Sequence, residues 1–251
     1  MKRTFAAIAL ATALAATAAA GAVWNKYLRT PPVALLPLPA HLVALESPEG
    51  RRLLSQSEAD ADYEALRASF EPQTRRAYCG VASALVALNA AGTASAPLDQ
   101  RALFAHPSVE LHPLKVSFTG MSLRQFGALL RAHGAVATVV HASDTDIDAF
   151  RRTALANLAR EGDFLFVNYE RAHLGQQRMG HISPVAAYHA ASDRLLVLDV
   201  AAHKYPPVWV PVDVLWEAMD APLNERTTTT RGFVVVAAES PRTLAGETKA
   251  P

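Results

Sequence analysis

Apolar positions along the chain change their spacing part-way through. Up to His133 they recur every three or four residues; beyond it they crowd into short runs rich in β-branched residues. Ala59, Tyr63, Leu66 and Phe70 predict one helix over Ser55–Phe70. Cys79–Ala91 is apolar nearly all round (Val81, Ala84, Leu85, Leu88), which predicts a buried helix ending at Asn89 and Gly92. Over Ser122–His133, Leu123, Phe126, Leu129 and Leu130 share one face, and Gly134 is the stop. Ala135–Val140 reads as a strand. A helix then starts at Ser143, capped in the Ser-x-x-Asp pattern with Asp146, and runs to Arg160.

Strands follow at Phe164–Tyr169, Ile182–Tyr188, Leu195–Val200 and Gly232–Ala238, with a short helix at Asp213–Met219. Pro184 weakens the second of these strands or sends it to a sheet edge. The short polar connector His189–Arg194 makes it a hairpin with the third. Helices first and strands later predict an α+β domain, a helical layer packed on an antiparallel sheet, over residues 40–239. Residues 240–251 show no pattern and are expected to be disordered.

The N-terminus stands apart. Lys2 and Arg3 precede an apolar, alanine-rich run, and Ala18-Ala19-Ala20 fits a small-x-small cleavage site before Gly21. Residues 1–23 therefore read as a secretory signal, which would place the protein in the periplasm. The alternative is an uncleaved membrane anchor with the domain facing the periplasm, because the run approaches the ~20 residues that span a bilayer. The proline-rich stretch 24–39 is expected to be an extended tether.

Charge narrows the partners. The chain has 251 residues, 24 basic and 23 acidic side chains and a formal charge of +1. It has no basic patch to neutralise phosphates, so no nucleic-acid partner is expected. One cysteine, Cys79, excludes an intramolecular disulfide and any Cys-rich zinc or iron–sulfur site. The nine histidines show no ligand spacing; His106 and His112, split by a proline-bearing loop, are weak candidates, and no protein metal site is expected.

Cys79 is then either a small buried hydrophobe or a nucleophile. Its place at the start of an apolar helix favours a thiolate, and Gly80 would leave room for a carbonyl beside the backbone N–H. His181 opens one strand of the hairpin and Asp199 lies near the end of the other. A hairpin centred on Ala191 sets the two diagonally on one face, and one centred on Ala190 sets them opposite each other. A centre between two residues puts them on opposite faces. Asp199 inside Leu195–Val200 needs a partner if buried. Gln73, six residues before Cys79, is placed to offer an amide to an oxyanion.

Several blocks resemble the phytochelatin synthase family. They are Gln-Thr-Arg-Arg-Ala-Tyr-Cys-Gly-Val-Ala-Ser-Ala-Leu-Val-Ala-Leu over 73–88, Asn168-Tyr169-Glu170-Arg171 with Leu174-Gly175-Gln176, and Gly180-His181-Ile182-Ser183-Pro184-Val185. The likeness continues through Leu198-Asp199-Val200-Ala201, Lys204–Val210, Leu215–Met219 and Thr230-Arg231-Gly232-Phe233. The blocks occur in the family's order. The resemblance implies a papain-like cysteine peptidase fold with Cys79 as acylated nucleophile, His181 as general base and acid, Asp199 as its orienting partner and Gln73 at the oxyanion.

It also implies glutathione and related thiol peptides as substrates. Attack on the Cys–Gly bond would release glycine and leave a γ-glutamylcysteinyl enzyme, resolved by water to γ-glutamylcysteine or by a second glutathione to short phytochelatins. Arg171 and Arg231 are the expected forks for the γ-glutamyl carboxylate, Glu225 the partner of its amine, Tyr205 a pocket wall or plain core, and Gly180 a further substrate contact. Plant-type members carry a second Cys-rich region, which this chain lacks. Hydrolysis is therefore expected to dominate, and a heavy-metal ion (Cd, Zn) to act as a metal–thiolate of the substrate, with no cofactor bound by the protein. A homodimer is a further expectation. The competing readings are an exported papain-like peptidase acting on other peptides and an inactive thiol-peptide scaffold.

Overall fold

The structure is a computed structural model. It describes residues 2–92, 97–223 and 227–237, and leaves out the side chains of 2–4 and 6–11. Lys2–Val23 form helix α1, continued by one π-helical turn, Trp24–Leu28. Among the described residues no helix is long and apolar enough to cross a membrane. The expected tail, 240–251, lies outside the described residues.

The chain between α1 and the sheet is not a free tether. The Ala34 and Leu36 amides donate to the carbonyls of His203 and Lys204 at 2.8 and 2.9 Å. Leu38 packs against the buried core. Residues 33–36 lie between the prolines and keep their amides, so this extended segment adds to the domain as a strand would.

Of the expected helix over Ser55–Phe70 only Tyr63–Ala68 is formed, and a separate helix ends at Ser55. α2 (Pro48–Ser55) starts at Ser47, whose Oγ accepts from the Gly50 amide, and α3 spans Tyr63–Ala68. Between them the Glu58 amide donates to the Tyr188 carbonyl, and the Tyr188 amide to that of Ala59. Backbone pairing with a strand thus overrides the helical spacing. α4 (Cys79–Ala90), α5 (Pro113–Thr119) and α6 (Leu123–Ala132) follow. Ser122 and Gln125 close a reciprocal capping box on α6. α7 (Ile147–Leu158) is capped by Asp146, which accepts from the Ala149 amide; Ser143 sits in a separate 3-10 turn.

Among the described residues seven strands form one antiparallel sheet. They are β1 (Val43–Ala44), β2 (Val136–His141), β3 (Phe164–Glu170), β4 (Gly180–His189), β5 (Arg194–Val197), β6 (Val208–Pro211) and β7 (Gly232–Ala237), ordered β1-β6-β5-β4-β3-β7-β2. Helix α8 (Val212–Asp220) follows β6. The mixed helix and antiparallel sheet is α+β, but the sheet is covered on both faces. Residues of α4 and α6 (Leu85, Leu88, Phe126, Leu130) bury one face with Phe166 and Trp209; α7 and α8 (Phe150, Leu215, Met219) bury the other with Val167 and Val197. That is why Phe164–Tyr169 is apolar without alternation.

Pro184 is not at an edge, because β4 is the middle strand. Its carbonyl accepts from the Leu198 amide at 2.9 Å, just past the end of β5. The missing N–H therefore falls where the ladder stops. α4 is enclosed: Gly80 through Leu88 are all buried, and Ser83 Oγ donates to the Ile182 carbonyl of β4 at 3.0 Å. Each buried Leu or Val there contributes about 1.5–3 kcal/mol, so the helix that carries Cys79 is held as core.

Candidate active site

Three elements bring the expected chemistry together. Cys79 is the first residue of α4, where the leading N–H groups of the helix have no partner within it. His181 is the second residue of β4, and Asp199 lies just after β5. Cys79 and His181 line one cavity of about 480 Å³. His181 Nε2 stands 3.0 Å from Asp199 Oδ1, off the line of a well-aligned hydrogen bond. That leaves Nδ1 as the ring nitrogen on the cavity side.

The hairpin places this pair by an unexpected route. At its tip His189 pairs with Arg194 and Ala187 with Leu196, so its centre falls between Ala191 and Ser192. That register would put His181 and Asp199 on opposite faces. A bulge intervenes, and Val185 pairs with Val197, leaving Ala186 as the extra residue. One inserted residue flips the parity, so beyond it His181 and Asp199 are diagonal on one face. Tyr169, paired with His181 across β3, sets its ring edge-on to the imidazole at 5.6 Å and 77°.

Asp199 is fully buried and concentrates its contacts on one oxygen. Oδ1 accepts from Arg171 Nη2 at 2.7 Å and from the Ala201 amide at 2.9 Å. Burial alone would raise this carboxyl, but Arg171 and His181 outweigh it and hold Asp199 well below the usual carboxylate range. Burial, with the Arg171 charge second, pushes His181 down to about 4. Burial pushes the Cys79 thiol up, against the Ile182 N–H and the Arg171 charge, which pull it down. The resting pair is therefore neutral thiol and neutral imidazole. Asp199 pulls the other way, its charge and proximity favouring an imidazolium, but burial and Arg171 prevail.

Arg171 is accordingly not a free fork facing a substrate. It is 1% exposed, bound to Asp199 and to Gln176 Oε1, and stacked between the rings of Tyr169 and Tyr205 at 5.8 and 5.1 Å. A 3-10 turn, Arg171–Leu174, returns the chain so that Gln176 meets Arg171. Gly175 ends it at φ 71°, where a side chain would be strained. Tyr205 is no pocket wall: it is buried under Arg171, its hydroxyl accepting from the Gln177 amide at 3.0 Å.

Arg231 and Gly180 do line the cavity. Arg231 Nη2 donates to Glu170 Oε2 at 2.9 Å, and Nη1 to the Ala221 and Pro222 carbonyls. Glu225 lies outside the described residues. Gln73 is buried, with both amide hydrogens given to the carbonyls of Arg75 and Arg76 at 2.9 and 2.8 Å. As placed it offers no N–H to an oxyanion. The space beside Gly80 belongs to Met121, whose Sδ would lie 2.6 Å from an added Cβ. Among the described residues no group of three or more His, Cys, Asp or Glu side chains is placed to hold a metal ion. His106 and His112 spend Nδ1 on local amides, of Ser108 and Leu114.

Reading by residue type missed Tyr169 and Gln176 as supports of the site, although both lie in quoted blocks. Period-two spacing along Tyr169–Arg171 was the available signal. A second cavity, of about 440 Å³, opens at the far end of α4 among Leu88, Leu130, Phe164 and Val236 and holds none of these groups.

The chain is similar to known proteins. Residues 33–233 match the family model for phytochelatin synthase. The glutathione gamma-glutamylcysteinyltransferase 1 of Triticum aestivum is 34% identical over 215 residues, 82% of this chain and 42% of that protein. The corresponding protein 3 of Lotus japonicus is 28% identical over 229 residues, 87% of this chain and 45% of that protein. The Schizosaccharomyces pombe glutathione gamma-glutamylcysteinyltransferase is 26% identical over 211 residues, 79% of this chain and 50% of that protein. The chain thus spans half or less of the length of these relatives. The matched span holds Cys79, His181 and Asp199 together with β1 to β6 and the start of β7, and by that match the chain belongs to the phytochelatin synthase family.

Proposed function

We propose that this protein is a glutathione γ-glutamylcysteinyltransferase and peptidase with Cys79 as nucleophile. The observation that carries the reading is the meeting of Cys79 and His181 in one cavity with His181 against buried Asp199, inside the span that matches the family. A nucleophile at a helix start facing a histidine on an antiparallel sheet also supports a papain-like fold.

The thiol attacks the carbonyl of the Cys–Gly bond while its proton passes to His181 Nδ1. The oxyanion forms at the start of α4, where unpaired N–H groups and the helix dipole favour negative charge. Imidazolium returns the proton to the departing glycine amine. A γ-glutamylcysteinyl thioester remains on Cys79. Water resolves it to γ-glutamylcysteine, with His181 as base; the α-amine of a second glutathione resolves it instead to a longer peptide. Hydrolysis is the main route in this reading. Metal ions enter as thiolates of the substrate.

Asp199, itself fixed by Arg171, orients the imidazole. Gln73 holds the 73–76 loop that leads into the nucleophile. The basic start and apolar run of residues 1–23 support export to the periplasm.

The test is chromatographic. Purified full-length protein given glutathione should release glycine in an amount equal to γ-glutamylcysteine plus longer peptides, the longer peptides being the minor product. Cys79→Ala should release neither. Glycine release by Cys79→Ala at the wild-type rate would remove Cys79 from the chemistry.

A further inference from the structure

The family match begins at residue 33, yet the catalytic cavity has walls that precede it. Lys26 and Tyr27, from the turn Trp24–Leu28, line that cavity with Cys79 and His181. The turn is anchored on the domain: the Tyr27 ring lies 4.8 Å from the Phe118 ring of α5. Lys26 Nζ in turn lies 5.0 Å from the Tyr27 ring centroid, within cation–π range. The Arg29 amide closes the turn on the Trp24 carbonyl at 2.9 Å.

The cavity's charge is one-sided. Its described lining holds three cations, Lys26, Arg76 and Arg231, and no acidic side chain. Arg231 is engaged by Glu170. Lys26 and Arg76 have no ion pair with a described acidic group.

Glutathione carries two carboxylates of different character. The γ-glutamyl carboxylate sits beside an ammonium, which suits an arginine–glutamate pair such as Arg231–Glu170. The glycine carboxylate is a lone anion, which suits unpaired cations. We propose that Lys26, with Arg76, holds the glycine carboxylate of the peptide substrate, so that the N-terminal turn 24–28 is part of the donor-binding site. This rests on the glutathione reading above and adds a specificity residue to it. Cleavage separates that carboxylate from the acyl group, so γ-glutamylcysteine leaves without the contact that admitted glutathione.

The experiment compares the full-length chain with Lys26→Gln and Lys26→Arg on glutathione and on its glycinamide analogue, following γ-glutamylcysteine. Lys26→Gln should raise KM for glutathione roughly 10-fold, the loss of one charge-assisted contact, with kcat little changed. The same variant should leave the glycinamide kinetics unaltered, and Lys26→Arg should restore most of the glutathione KM. An unchanged KM for glutathione, or an equal loss on both substrates, overturns the proposal while the glutathione reading stands. A wild type that cleaves neither substrate overturns both.

Discussion

Arg171 and His181 meet on a single oxygen of Asp199, Nη2 at 2.7 Å and Nε2 at 3.0 Å. The carboxylate therefore serves a permanent cation and a neutral ring at once. Arg171 makes the buried charge tolerable, and its field adds to burial in holding the His181 pKa down. Positioning of the base and folding of the domain are coupled through one side chain.

Arg171→Gln should expose that coupling. It strands a buried carboxylate, so stability to urea should fall by about 3–5 kcal/mol, the usual cost of breaking a buried ion pair. Arg171 also lowers His181, so its loss should raise the His181 pKa. The acid limb of kcat/KM should then move to higher pH. A variant of unchanged stability and unchanged acid limb would contradict the arrangement described.

Acid should destabilise the native protein through its buried histidines. His181 is held near 4 when folded, against about 6.5 in an unfolded chain. As pH falls below 6.5 the unfolded chain takes up the proton first, so stability is flat above that value and is lost down to about 4. Two and a half pKa units correspond to about 3 kcal/mol. Burial, with Lys204 and Arg76 behind it, also holds His203 near 4, adding to the same window. Urea titrations between pH 4 and 7 should show His181→Asn with a shallower dependence than wild type, by close to one proton.

The bulge at Ala186 is testable by deletion. Removing the extra residue lets the Ala187–Leu196 pair run straight into Val185–Val197, so His181 stays diagonal to Asp199 on one face. The Ala186 deletion should keep its far-ultraviolet circular dichroism and retain glycine release, losing far less than the roughly 10²-fold or more that follows when a catalytic base is disabled. A deletion that folds but loses glycine release to that extent would contradict the register described.

Much of this was legible in the residues. The apolar run after Cys79 is a buried helix, and the Leu195–Val200 run carries a buried, partnered Asp199. What was not legible arose from tertiary pairing. Helical spacing in Ser55–Phe70 yields to Ala59, which pairs with Tyr188. Pro184 lies in the central strand because only its carbonyl is needed there. Arg171 reads as a ligand fork by type, but packing between Tyr169 and Tyr205 makes it a structural cation. Neither local spacing nor residue type encodes the bulge that reunites His181 with Asp199.

The central claim is a thioester on Cys79. The full-length protein mixed with glutathione and quenched rapidly in acid should gain the mass of one γ-glutamylcysteinyl group, mapped to the peptide that carries Cys79, as glycine appears. Cys79→Ser should show no thioester. Glycine release with no adduct on Cys79 at any quench time, or an adduct on another residue, would contradict the account.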